Sequence, residues 1–150
     1  RVTSGFDPRR LELEITESTL QATERSLLII KSLEALGVAV SIDDFGTGYS
    51  SLSYLEHFPV RRLKIDQSFV REMTHDANSG AIVEAIIALG RVLKMSVVAE
   101  GGETQQQLEA LRGFGCDDVQ GYFVRRPASA ADIAPLCAAD SFAHLRPAKG

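Results

Sequence analysis

Two hydrophobic periods alternate along the chain. Leu11-Glu12-Leu13-Glu14-Ile15 is apolar at every second position, the pattern of a strand with one covered face. Leu20, Leu27, Leu28, Leu33 and Leu36 then recur at roughly helical spacing as far as Gly37, a residue suited to closing a helix. Strand-like stretches return at Val38–Phe45, Arg62–Asp66, Ser96–Glu100 and Val119–Phe123. Helical stretches separate them. One is short, Ser50–His57, and is closed by Pro59. A second carries Ile82, Val83, Ile86, Ile87, Leu89 and Leu93 behind the capping residues Asp76, Asn78 and Ser79. A third carries Leu108, Leu111 and Phe114 between a Thr104/Gln107 capping box and Gly115. Ser129 caps a last short helix with Ile133 and Leu136. Five strand–loop–helix units predict a parallel sheet covered by helices. Right-handed crossovers leave an open doubly wound sheet or a closed barrel, and in both the ligand sits at the carboxyl ends of the strands.

Each of those strand ends carries polar residues: Glu14 and Glu17, Asp43 and Asp44, Lys64 and Asp66, Glu100 and Glu103, and Gln120. A parallel sheet brings them to one edge. The second end is the richest. Asp43-Asp44 leads into Phe45-Gly46-Thr47-Gly48-Tyr49 and then Ser50-Ser51, paired carboxylates opening into a glycine loop with helix caps behind it. That layout holds a cation, a phosphate, or both. Crowded carboxylates repel one another unless cations neutralise them. Oxygen ligands with neither Cys nor His among them point to Mg²⁺ or Mn²⁺ in place of zinc. Two such ions bind a phosphate, acidify a bridging water and stabilise a leaving oxygen. In that setting Lys64 either contacts the phosphate or positions the water, and Glu100 is the candidate general base. Several residues also have plainer readings. Glu103 is a solvated acid, Glu17 a helix N-terminal acid favoured by the dipole, and Asp66 a cap or a partner of Lys64. Gln120 satisfies backbone groups, and Phe45, Tyr49 and Tyr122 pack. His57, His75 and His144 fall outside the constellation.

Composition narrows the partners. The 150 residues provide one domain with a sizeable core. A net charge of −4 argues against binding nucleic-acid duplexes, which takes a basic surface. No apolar run has the length of a membrane span, and no secretory or lipidation signal is visible, so a cytoplasmic location is expected. Cys116 and Cys137 lack metal-type spacing.

At the residues of the constellation the sequence resembles the EAL-domain family, bacterial phosphodiesterases acting on cyclic di-GMP. Leu13-Glu14-Ile15-Thr16-Glu17 resembles its Glu-x-Thr-Glu motif. Asp43 through Ser51 resembles its most recognisable loop, Leu63-Lys64-Ile65-Asp66 its Lys-Ile-Asp strand, and Val98-Ala99-Glu100-Gly101 with Glu103 the next strand and turn. Gln120-Gly121-Tyr122 with Pro127 resembles its last strand. The resemblance implies a TIM-like (β/α) barrel, here a partial barrel of about five β/α units, and hydrolysis of one phosphodiester bond to give linear diguanylate. It implies Glu14 and Asp43 as metal ligands with Asp44 at or beside the metals, Lys64 near the attacking water, and Glu100 as base. Glu17 would anchor the loop Phe45–Ser51, with Asp66, Glu103 and Gln120 around the site.

Two departures stand out. Gly102 occupies a position where the family usually has Val. The family's Glu-Ala-Leu motif and its Asn ligand belong ahead of Arg1, while Glu34-Ala35-Leu36 and Glu109-Ala110-Leu111 fall within helical stretches and are decoys. The resemblance therefore makes residues 1–139 the C-terminal part of such a domain and residues 140–150 a polar tail. It leaves two expectations: a homodimer or other association that completes the barrel, and, as the alternative to an enzyme, a receptor or interaction module that binds cyclic di-GMP without turnover.

Overall fold

The structure is a computed structural model that describes residues 5–21, 23–48 and 55–138. Tyr49, most of the expected Ser50–His57 helix and the expected tail from Asp140 lie outside the described residues. The strands are β1 (Glu12–Thr16), β2 (Ala39–Phe45), β3 (Arg62–Ile65), β4 (Ser96–Glu100) and β5 (Asp118–Gln120). The helices are α1 (Thr23–Ala35), α2 (Gln67–Glu72), α3 (Ala77–Leu93), α4 (Gln105–Phe114) and α5 (Ala130–Ala138).

All neighbouring strands pair parallel, in the order β1-β2-β3-β4-β5. A doubly wound sheet reverses its strand order at a switch point. This one never reverses, so it is an arc of a (β/α) barrel, unclosed among the described residues, with β1 and β5 at its edges.

The alternation read in the sequence becomes two unlike faces. Ile15, Ile42, Leu63, Ile65, Val97 and Ala99 lie on the face that packs against Ile30 of α1, Val83, Ile86 and Ile87 of α3 and Leu111 of α4. Burying such a side chain stabilises the fold by about 2 kcal/mol, so this layer carries most of the cohesion. The opposite face carries Glu12, Glu14, Ser41, Arg62, Lys64, Asp118 and Gln120, brought side by side by the strand register. The helix ends follow the caps in the sequence. Asp76 accepts from the Asn78 and Ser79 N–H groups, Thr104 and Gln107 form the capping box, and Gly115 closes α4 in the left-handed region.

Three expectations need correction. Glu17 does not open an α-helix; it begins a 3-10 turn, Glu17–Gln21, ahead of α1. The fifth strand stops at Gln120, and Tyr122 and Phe123 lie in a turn whose Gly121 carbonyl accepts the N–H groups of Val124 and Arg125. The helix α2 went unforeseen because six residues are too few to show a period.

Candidate functional site

The pairing of β2 with β3 slips between Ile42 and Phe45. Two residues, Asp43 and Asp44, there stand opposite Lys64, a β-bulge. In a regular strand, consecutive side chains point to opposite faces. The bulge breaks that rule, with Asp44 in the left-handed region at φ 54°. Asp43, Asp44 and Glu100 each place a carboxylate oxygen within 4.8 Å of the others. Beyond the bulge Phe45 returns to the core, 5% exposed, so the packing reading of that residue holds.

Lys64 reaches into the same space from β3. Its Nζ lies 2.7 Å from Glu14 Oε1, 2.7 Å from Glu100 Oε1 and 3.1 Å from Asp43 Oδ1. The lysine side chain is 7% exposed, whereas Glu14 is 52% exposed on the edge strand. Burial works against the charge on Lys64. The Glu100, Glu14 and Asp43 carboxylates outweigh it and hold the ammonium well above the ordinary lysine range. Asp43 Oδ1 is buried and makes no hydrogen bond, its ion pair with Lys64 notwithstanding. A buried carboxylate oxygen without a donor, beside two further carboxylates, fits a hard divalent cation. Asp43, Asp44 and Glu100 are the residues that would hold it, while Glu14 is engaged by Lys64.

Asp44 has its pKa raised, first by burial and then by the neighbouring Asp43 and Asp66 carboxylates. Asp66 is shifted the other way. Burial raises it, but the Ser68 hydroxyl and N–H groups outweigh burial and, with Asp44, hold it below the usual carboxylate range. Asp66 is thus the N-cap of α2 as well as the neighbour of Asp44.

Glu17 is 3% exposed. Its Oε2 accepts the Gly46 N–H at 2.9 Å and the Gly48 N–H at 3.2 Å, tying the segment after β2 to the end of β1. The Thr47 hydroxyl donates to the Asp44 carbonyl at 2.9 Å and closes the turn. Gly46 has φ 102°, and a Cβ there would lie 2.9 Å from a Phe69 ring carbon, so glycine is required on both counts. Glu103 is exposed, and its N–H donates to Gln107 Oε1.

A second ionic layer, unforeseen in the sequence, lies one pleat below. Arg62 NH1 is 2.9 Å from Glu12 Oε2, its Nε donates to Ser96 Oγ at 3.2 Å, and NH2 is 3.9 Å from Asp118 Oδ2. Its position two residues before Lys64 on the same strand face was the available signal. Two cavities flank these layers. One, of about 500 Å³, lies over Glu12, Glu14, Arg62, Lys64 and Asp118. The other, of about 470 Å³, takes in Glu100, Glu103, Gln120, Tyr122, Arg125 and Arg126. The sequence also passed over Arg126, whose guanidinium sits 4.6 Å from the Tyr122 ring centroid.

The family model described as the EAL domain matches residues 2–127. The bifunctional diguanylate cyclase/cyclic di-GMP phosphodiesterase MucR of Pseudomonas aeruginosa is 50% identical over 130 residues, which are 86% of this chain and 19% of that protein. A solved structure of the PaMucR phosphodiesterase in complex with c-di-GMP superposes with a TM-score of 0.83 at 48% identity, over 86% of this chain and 53% of the other. The manganese/cy-diGMP complex of Klebsiella pneumoniae BlrP1 superposes with a TM-score of 0.73 at 32% identity, over 79% of this chain and 31% of the other. The chain thus spans about a fifth of the length of the curated MucR sequence it matches. With its ordered motifs, its barrel arc and the family match along most of its length, the chain belongs to the EAL domain family.

Proposed function

We propose that the chain forms the part of a cyclic di-GMP phosphodiesterase site that binds divalent metal and attacks the phosphodiester, giving linear diguanylate. The observation that carries this reading is the convergence of Asp43, Asp44 and Glu100 within 4.8 Å, beside Lys64 and a cavity of about 470 Å³. The manganese and cyclic dinucleotide complex of the BlrP1 relative supports it.

Asp43, Asp44 and Glu100 would hold Mg²⁺ or Mn²⁺, with Glu14 alongside. Such an ion supplies electrostatic stabilisation of the phosphate and a more acidic water. Lys64 fixes one oxygen of Glu100 by their 2.7 Å contact and leaves the other to accept the proton of the attacking water. Its remaining positive field steadies charge that develops on the phosphoryl oxygens. Glu17 keeps Gly46 and Gly48 in place and with them the bulge that aims Asp44. Asp66 and Gln120 border the cluster and orient rather than react. No helix among the described residues is long and apolar enough to cross a membrane, and a cytoplasmic site of action is part of the proposal.

One observation favours a second reading. Lys64 already pairs with Glu14, Asp43 and Glu100, so the cluster has a counterion of its own and is suited to holding the dinucleotide without turnover. Chromatography of cyclic di-GMP incubated with the chain separates the two. Linear diguanylate formed with Mg²⁺ or Mn²⁺ and lost with chelator supports the enzyme. Tight binding with no product in either metal supports the receptor and overturns the enzyme.

A further inference from the structure

Two guanidiniums beside the acidic cluster have no counterion. Arg125 and Arg126 follow β5, are exposed, and make no ion pair among the described residues. The other cations of this face are committed, Lys64 to Glu14, Asp43 and Glu100, and Arg62 to Glu12 and Asp118. Arg125 borders both cavities, and Arg126 lies over the ring of Tyr122, which is 54% exposed.

The segment that carries them is fixed to the end of β4. The Gly102 N–H donates to the Gln120 carbonyl at 3.3 Å, and the Phe123 N–H donates to the Gly102 carbonyl at 3.0 Å. A Cβ on Gly121 would lie 2.2 Å from the Gly102 oxygen, so the two backbones meet only because residue 121 has no side chain. The Val124 and Arg125 N–H groups both return to the Gly121 carbonyl at 3.1 Å. Arg125, Arg126 and Tyr122 are therefore held at a set distance from Glu100, as a binding subsite requires.

We propose that the cavity between Gln67, Gln120, Tyr122 and the two arginines reads a guanine base, that of the nucleotide farther from the attacked phosphate. This rests on the cyclic di-GMP reading above. Arg125 presents a planar fork of N–H donors, which matches the O6 and N7 acceptors of guanine; adenine offers an amino donor in place of O6 and turns the fork away. The Tyr122–Arg126 pair supplies a flat face on which the base stacks. The acids lining the same cavity, Glu100 and Glu103, disfavour a second phosphate there and leave the base as the group for the arginines to meet.

The test is equilibrium binding of cyclic di-GMP and of cyclic di-AMP, by calorimetry with and without Ca²⁺, to the wild-type chain, Arg125→Ala and Arg125→Lys. The wild type is expected to prefer cyclic di-GMP. Arg125→Ala should weaken cyclic di-GMP about tenfold and leave cyclic di-AMP within about twofold. Arg125→Lys keeps the charge and loses the fork, so it should restore little of the preference. Equal weakening of both nucleotides, with recovery in Arg125→Lys, would make Arg125 a phosphate contact and overturn the subsite. Unchanged cyclic di-GMP binding in Arg125→Ala would overturn it too, with the functional reading intact. A wild type that binds neither nucleotide under either condition would overturn that reading, and the subsite with it.

Discussion

Lys64 is the residue on which most of the site's charge depends. It is 7% exposed and faces three carboxylates, so removing it leaves acids looking at one another across a space with little water. Leaving one side of a buried ion pair uncompensated typically costs about 3 kcal/mol. Lys64→Met should therefore lower the urea midpoint by that equivalent in chelated buffer; an unchanged midpoint would mean that solvent already screens the cluster. Asp44 sets a pH dependence. Its pKa is raised from 3.8, by burial first and by Asp43 and Asp66 after it. A raised carboxyl favours the folded state in its protonated form, a contribution present below the unfolded pKa and lost as pH climbs through the folded one. A metal must displace that proton. Mn²⁺ affinity, followed by calorimetry, should thus begin to fall at a higher pH than an ordinary aspartate would impose, and Asp44→Asn should remove that part of the pH dependence. A pH profile identical in both proteins would contradict the assignment.

At the scale of elements, the bulge in β2 and the turn after it act as one part. The bulge turns two consecutive aspartates to one side, and Glu17 fixes the following glycines through two N–H bonds. Hydrogen bonds to a charged acceptor contribute roughly 2 kcal/mol each. Glu17→Ala should weaken Mn²⁺ binding severalfold while α3 and α4, remote in sequence and capped on their own terms, keep their helical circular dichroism. Undiminished metal affinity would show that the bulge holds itself.

Much of this level was legible in advance. The caps at Asp76 and Thr104 and the stop at Gly115 are local chemistry, written within a few residues of where they act. The convergence of Glu14, Asp43, Lys64 and Glu100 followed from parallel strands alone. The bulge was not legible, because Asp43-Asp44 reads equally well as a strand with one acid on each face. The Arg62 layer was missed because its partners, Glu12 and Asp118, lie 50 and 56 positions away in the sequence and meet only in the register of the sheet. The turn at Tyr122 was overwritten by an aromatic, strand-like composition.

For the whole molecule, the division between the sheet faces explains how a modest chain supports so many charges. The helix-covered face is aliphatic, and the other face spends its acids on two cations of β3 stacked one pleat apart, Arg62 below and Lys64 above. Only the upper layer reaches the bulge, the second cavity and the three-carboxylate group, so chemistry is confined to the carboxyl ends of the strands while the lower layer is structural. The arc leaves Leu13 on the edge strand and Leu28 and Ile29 on α1 partly open, 37%, 64% and 53% exposed.

The central claim is that this acidic cluster, with Glu100 as proton acceptor, cleaves cyclic di-GMP. Its most direct test is the rate of linear diguanylate formation in Mn²⁺ by the wild-type chain and by Glu100→Gln, a change that keeps the shape and removes the base. The account predicts product from the wild type and a loss of a hundredfold or more in the variant, about the lower end of what a general base contributes. Equal rates in the two proteins would contradict it.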